Sequence, residues 1–289
     1  TKADPIFIDV DPYTWQIDLD LLEEFLEEQC EQKDEICYLK STNQAVKAIM
    51  PVHVLGNMCD MERLMLIASK YNLFVVEDST EALGSYFKGK HAGGFGKMGV
   101  FSFNGNKIIS TGGGGVIVTD DEALAKRAKH LSTQSKVDPL RYYHDEIGFN
   151  YRLVNVLAAI GVAQMEQLDD FIIAKKKMDH FYRTELEGVG DIRFQKVSKE
   201  VNPNCWLFTF STKYQSELLQ YIIDQDIISR PFWTPMNQLP MFTNNLYVNK
   251  EDHARKVHAE SLSIPSSVSL TEDQMEQVVK TIKSFYKKR

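Results

Sequence analysis

Apolar positions in the first part of the chain alternate between short β-branched runs and stretches with helical spacing. Ile6-Phe7-Ile8-Asp9-Val10 reads as a strand, and Leu21, Leu22, Phe25 and Leu26, recurring at i, i+3 and i+4 between acidic residues, form one face of a helix. The run Val46 to Leu55, the segment Asp60 to Tyr71 and the run Leu73-Phe74-Val75-Val76 read as two strands joined by a crossover helix. Val100 to Phe103 and Val116 to Thr119 are further short strands, and Thr119-Asp120-Asp121 caps a helix holding Leu124 and Ala128. This alternation predicts an α/β domain with a large, mostly parallel sheet. Beyond Thr133, SKVDPLRYYHDEIGFNYRL has no period and reads as a long functional loop. Val154 to Leu168 is apolar nearly all round, which predicts a helix buried in a core or an interface. The domain boundary falls there, giving a large domain over residues 1–168 and a small α+β domain over 169–289. The latter holds strands at Ile192 to Val197, Trp206 to Ser211 and Ile227 to Trp233, a helix near Ser216 to Asp224, and a last helix opened by a capping box from Thr271 to Gln274.

Composition narrows the function classes. The 289 residues carry 33 Lys+Arg against 40 Asp+Glu, a net charge of −7, which argues against nucleic acid as a partner. No apolar run approaches the roughly 18 residues of a membrane span. The start, TKADPIFIDV, has no signal-peptide pattern, so the chain reads as soluble and cytoplasmic, and it opens on Thr as though its beginning were missing. Cys30, Cys37, Cys59 and Cys205 lack CxxC spacing and read as ordinary thiols, with no metal site and no disulfide framework.

The candidate chemistry lies between Val75 and Val118. An apolar strand ends in Glu77-Asp78, and open α/β sheets bind ligands beyond the carboxyl ends of their strands, so Asp78 is a site candidate and equally a capping or turn residue. Lys107 follows the aromatic strand Phe101-Ser102-Phe103 and precedes Thr111-Gly112-Gly113-Gly114-Gly115. The glycines fit neither a P-loop, which needs a following G-K-[ST], nor the GxGxxG dinucleotide fingerprint. What remains is a strand-end carboxylate, a hydroxyl at Ser102 and an amine at Lys107. Those are the parts that hold pyridoxal 5′-phosphate (PLP): a lysine for the aldehyde, an acid for the pyridine nitrogen and donors for the phosphate.

The stretches PVHVLGNMCDM (51–61), VVEDSTEALGSYFKGKHAGGFG (75–96), VFSFNGNKIISTGGGG (100–115) and GFNYRLVNVLAAIGVAQ (148–164) resemble the DegT/DnrJ/StrS family of fold-type I, PLP-dependent sugar aminotransferases over essentially the whole chain. Within it the likeness is to enzymes that aminate C4 of nucleotide-linked 4-keto-6-deoxy sugars, such as perosamine synthases and those of the legionaminic acid and bacillosamine pathways. The resemblance implies that Lys107 forms a Schiff base with the coenzyme and moves the substrate proton. It implies that Asp78 keeps the pyridine nitrogen protonated, that Glu81 lies near the 3′ oxygen where many members carry Gln or His, and that Ser102 binds the phosphate. Asn150 matches an Asn that reaches the neighbouring subunit's phosphate, implying a homodimer with shared sites. L-glutamate is the implied amino donor. His144, Arg230, Trp233 and Asn237 are the implied contacts to the nucleotide sugar; an Arg suits a diphosphate, although Arg230 also reads as a surface salt bridge and Trp233 as core. His53 reads as a buried, satisfied histidine as readily as a site residue.

Family members usually begin with a further segment of roughly eighty to a hundred residues, so the resemblance implies a large domain incomplete at its N-terminus. That segment normally supplies a Gly-Thr or Gly-Ser turn for the phosphate and an aromatic ring for the pyridine, and nothing in residues 1–45 replaces either. Two other readings therefore stand beside a transaminase. One is a catalytically inactive fragment; the other is a PLP-dependent sugar dehydratase, a branch in which His replaces the lysine that stands here as Lys107.

Overall fold

Four strands form the central sheet of the computed structural model: β1 (Ala48–Ile49), β2 (Phe74–Asp78), β3 (Met98–Ser102) and β4 (Gly115–Val118), in the order β4-β3-β2-β1. The structure describes residues 3–138 and 140–289; Thr1, Lys2 and Pro139, the last within the stretch read as a loop, lie outside the described residues. β1, β2 and β3 run parallel, and β4 is antiparallel to β3. Helices α1 (Leu19–Gln29) and α2 (Met61–Lys70) cover one face, where Leu22, Phe25, Leu26, Leu64 and Ile67 pack against Ile49 and Val75. Both helices start on side-chain caps, Asp18 accepting from the N–H groups of Asp20 and Leu21, and Asp60 from that of Arg63. Side chains alternate across a strand, so Phe74, Val76 and Asp78 share the opposite face. That face carries exposed Met50, Val52, Phe74 and Ile117.

The pattern between Val46 and Leu55 is broken more finely than one strand. Val46 ends a ribbon of Cys30–Lys33, Ile36–Leu39 and Gln44–Val46; β1 follows, and Val54–Gly56 forms a 3-10 turn in which Leu55 is left-handed with φ 62°. The aperiodic stretch beyond Thr133 contains a two-stranded ribbon, Lys136–Asp138 with Tyr143–His144. Asp121 caps α3 (Glu122–Ser132) as its position predicts. Of the two places expected for the apolar helix, a core or an interface, the core of this chain is excluded: α4 (Asn155–Met165) buries no residue, and Val156 and Val162 are 71% and 63% exposed. A helix apolar all round has no single inward stripe, and this one meets Ser110 and Thr111 at the head of the glycine run. There Gln164 Oε1 accepts from Ser110 N, and a Cβ on Gly161 would stand 3.0 Å from Thr111 Cγ2.

Helix α5 (Leu168–Leu186) turns Lys175, Met178, Tyr182 and Leu186 inward at helical spacing. These pack on an antiparallel sheet of β5 (Arg193–Phe194), β6 (Thr209–Ser211), β7 (Arg230–Pro231) and β8 (Ser261–Ser263), in the order β5-β6-β8-β7. Helices α6 (Gln215–Ile223), α7 (His253–Glu260) and α8 (Glu272–Lys287) complete this half, and the capping box of Thr271 with Gln274 opens α8. Phe210, Leu218, Ile222, Leu262 and Ile282 are its buried centre. Several features join the halves, among them the pairing of Val201–Asn202 with Tyr86–Phe87. Phe7–Ile8 pairs in parallel with Tyr247–Val248, and a cluster of Trp15, Leu55, Ile108, Trp206 and Val257 lies between the two larger cores. No helix among the described residues is long and apolar enough to cross a membrane.

Candidate active site

The parallel register Asp78↔Val100 puts Asp78 level with β3, two residues before Ser102 and on the same sheet face, at the carboxyl ends of both strands. The Asp78 backbone is fixed to the neighbouring segment by Asp78 N donating to Pro51 O at 2.9 Å and His53 N donating to Asp78 O at 3.0 Å. One carboxylate oxygen accepts from Thr80 N at 3.2 Å, and no other hydrogen bond engages this carboxylate among the described residues. A turn role and a free acceptor oxygen thus coexist.

Three residues on, Glu81 accepts from Leu55 N at 2.8 Å, and its other oxygen lies 3.6 Å from Lys107 Nζ. The left-handed Leu55 backbone costs of order 1–3 kcal/mol and aims that N–H at the carboxylate. Both charged side chains are shielded, Lys107 at 13% and Glu81 at 14% exposure. Burial raises the pKa of Glu81, and nearby Asp78 pushes the same way; the Leu55 N–H and the Lys107 ammonium oppose this without cancelling it.

Lys107 Nζ sits 4.1 Å over the ring of Trp206, which is buried. The indole N–H donates to Asn106 O at 2.7 Å, and Trp206 N donates to Asn204 Oδ1 at 3.0 Å. Asn204 Nδ2 in turn donates to the carbonyls of Glu81 and Leu83 at 2.8 and 2.9 Å. Asn204 Oδ1 would lie 1.9 Å from a Cβ on Gly56, whose φ is +78°, so only glycine fits there.

Behind Asp78, Glu77 and His53 are fully buried, with His53 Nε2 donating to Glu77 at 3.0 Å. Glu77 also accepts from the N–H groups of Gly93, Phe95 and Gly96 at 2.8, 2.6 and 2.7 Å, fixing the Gly93–Gly96 loop against the strand. Burial alone would raise the pKa of Glu77, but the bonds from His53, Gly96 and Gly93 outweigh it and hold the carboxyl below its ordinary value. His53 is therefore a buried structural partner, bonded through one nitrogen, while Nδ1 finds no partner among the described residues. In the glycine run, Gly112 and Gly114 take φ +81° and +88°, and a Cβ on Gly112 or Gly113 would meet nothing within 4 Å. The run is built for backbone conformation and leaves open space in front of it.

The structure brings Asp78, Glu81, Ser102 and Lys107 to one sheet end. Ser102 is half-buried, its hydroxyl accepting from Asn104 N at 3.3 Å. Trp233 joins them through Trp206: the two rings stack at 5.9 Å and 13°, and Trp233 is 47% exposed, so it is not core. For the others, no hydrogen bond or ion pair links them to Asp78, Glu81 or Lys107 among the described residues. His144 is exposed on the ribbon, with Nδ1 bonded to Gln134 O at 2.7 Å, and Asn150 is exposed in a bridge with Thr133. Arg230 lies on β7, donating to Ser229 O at 3.0 Å and making no salt bridge among the described residues; Asn237 lies on the turn Met236–Gln238. Sequence reading missed Asn204, Trp206 and Glu77. For Glu77 a signal was present, a charged residue inside an apolar strand beside a glycine-rich loop.

A shielded amine over an aromatic ring, a strand-end carboxylate with an unengaged oxygen and a hydroxyl on the same face fit the aldehyde, ring nitrogen and phosphate of PLP. Fold and donor set define a PLP-dependent enzyme of the aminotransferase class. The sequence matches the DegT/DnrJ/EryC1/StrS aminotransferase family over residues 1–283, and the chain belongs to that family. A GDP-perosamine synthase of Escherichia coli O157:H7 is 37% identical over 289 residues, covering 99% of this chain and 74% of its own. A dTDP-4-amino-4,6-dideoxy-D-glucose transaminase of Shigella dysenteriae is 30% identical over 247 residues, covering 83% of this chain and 66% of its own. Among solved structures, a DegT/DnrJ/EryC1/StrS aminotransferase from Brucella abortus shares the fold with a TM-score of 0.89 at 22% identity, over 98% of this chain and 74% of that one.

Proposed function

We propose that this sugar aminotransferase moves an amino group from L-glutamate to C4 of a nucleotide-linked 4-keto-6-deoxy sugar, in the cytoplasm. The observation that carries the reading is the Lys107 amine, held between Glu81 and the face of Trp206 beside the strand-end Asp78. The 4-amino-4,6-dideoxy sugar in the name of the Shigella relative supports C4. When bound, PLP supplies a cationic ring that draws electrons from the carbon being deprotonated. Lys107 would hold the coenzyme through its carbonyl carbon, with loss of water, and once displaced by the donor amine its Nζ would carry the proton between the donor α-carbon and that coenzyme carbon, and in the opposite direction on the sugar. Asp78 would keep the ring nitrogen protonated, Ser102 would hold the phosphate and Glu81 would lie near the 3′ oxygen. Trp233, Arg230, His144 and Asn237 would meet the nucleotide sugar, with the guanidinium at its diphosphate.

The chain would act as a homodimer divided into domains 1–168 and 169–289. The exposed apolar faces of α4 and of the stacked Phe149 and Tyr151, ring centroids 5.0 Å apart, suit a second copy, placing Asn150 at the partner's phosphate. The test is incubation with PLP, ¹⁵N-glutamate and nucleotide-linked 4-keto-6-deoxyhexoses. The expected product carries ¹⁵N on C4, with one 2-oxoglutarate per amine. Label at C3, or no labelled sugar from an enzyme that converts glutamate, contradicts it.

A further inference from the structure

Lys175 stands on the inward stripe of α5 and is only 5% exposed, yet no carboxylate pairs with it among the described residues. Its Nζ donates to two backbone carbonyls, that of Trp206 at 2.8 Å and that of Ser266. Burial lowers its pKa from the ordinary 10.5 to about 8. Placing an ammonium here is costly, and an apolar residue on this stripe would pack without that cost. Lysine brings three N–H donors on a long stem, so one group can bind two carbonyls from separate segments.

The two segments matter because of what Trp206 holds. Its N–H is bonded to Asn204, its indole N–H to the carbonyl of Asn106, and its carbonyl to Lys175, so every polar atom of the residue is engaged. The ring then faces Lys107 Nζ from 4.1 Å while the indole N–H fixes the peptide just before Lys107. Ser266 is tied to the same strand end, its hydroxyl accepting from Phe208 N at 2.9 Å. From these contacts we infer that Lys175 is a positioning residue: it pins Trp206 from below, and through Trp206 it sets the place of Lys107 Nζ relative to Glu81. This rests on Lys107 being the coenzyme-binding lysine.

The test compares Lys175→Met with the wild-type enzyme under saturating PLP. Folding is checked first by far-ultraviolet circular dichroism. Two readouts follow that a remote packing defect would leave alone. One is the pH midpoint of the visible coenzyme band, expected to move by about half a pH unit or more. The other is the split of kinetic constants, with kcat expected to fall about tenfold and the KM of each substrate to stay within about threefold. The coenzyme-free protein gives an independent reading: the near-ultraviolet dichroism to which the stacked Trp206 and Trp233 rings contribute should weaken. A folded variant with an unchanged band midpoint, kcat and near-ultraviolet spectrum overturns the pin. If Lys175→Met does not fold, the same readings on Lys175→Leu, which also removes the N–H donors on a shorter apolar side chain, decide the matter by the same criteria. If borohydride does not fix PLP on Lys107 in the wild-type protein, it is the assignment of Lys107 that fails, before the variants are read.

Discussion

Glu77→Gln isolates the group that carries Asp78 and clamps the Gly93–Gly96 loop. The wild-type carboxylate accepts four N–H bonds between 2.6 and 3.0 Å in a fully buried place. A glutamine can keep its oxygen toward Phe95 and Gly96, which puts its amide nitrogen where the other oxygen stood. His53 can answer by changing tautomer, but the N–H of Gly93 then faces another donor. One buried donor without an acceptor costs about 1–3 kcal/mol, and replacing two charge-assisted bonds by neutral ones costs about 1 kcal/mol each, so the variant should lose roughly 3–5 kcal/mol. Urea unfolding of the coenzyme-free protein at pH 7 measures this as a fall in midpoint at constant slope. The pH dependence gives a second check. The folded-state pKa of Glu77 is depressed, so its contribution is fully present above the ordinary value of 4.5 and is lost as pH falls through the folded value. The stability gap between wild type and variant should accordingly shrink in acid. A loss below about 1 kcal/mol at pH 7, or a gap independent of pH, would refute the claim that this carboxylate organises the strand end.

Asp78→Asn should leave the fold intact and lower kcat by about 100-fold or more in steady-state assays, because the amide cannot hold the ring nitrogen protonated; a fall under about tenfold would count against its role. Gly56→Ala should destabilise by about 2 kcal/mol or more in chemical denaturation, since the left-handed backbone and Asn204 both oppose a Cβ. Thr271→Ala, which removes the capping box of α8, should cost about 1 kcal/mol by thermal or urea unfolding, with Thr271→Ser restoring it.

The elements of the fold were legible wherever period and caps agreed. Leu21 to Leu26 gave α1, Asp121 gave the start of α3, and Thr271 with Gln274 gave that of α8, since these signals are local. The strand-end position of Asp78 was legible for the same reason, and Lys107 stood out between an aromatic strand and a glycine run. What escaped was set by contacts distant in sequence. Asn204 and Trp206 lie before β6, which starts at Thr209 and not at Trp206 as the pattern predicted; Trp206 is 100 residues from Asn106, and only the folded chain places its indole against Lys107. Lys175 stands in the run Lys175-Lys176-Lys177, and only the inward direction of the stripe shows it to be buried. The apolar pattern of α4 was visible, but composition cannot tell a helix in a core from one on an open surface, and here it is exposed. His144, Asn150, Arg230 and Asn237 rested on resemblance, and no hydrogen bond or ion pair ties them to Asp78, Glu81 or Lys107 among the described residues.

The central claim is that Lys107 is the residue that takes PLP, and covalent trapping tests it most directly. The purified protein is mixed with PLP, scanned for visible absorption, reduced with borohydride, digested and mapped by mass spectrometry, with Lys107→Ala alongside. The expected result is a visible band bleached by borohydride and the reduced coenzyme on the peptide containing Lys107, with neither in the variant. No band, or label spread over exposed lysines in both proteins, would contradict it.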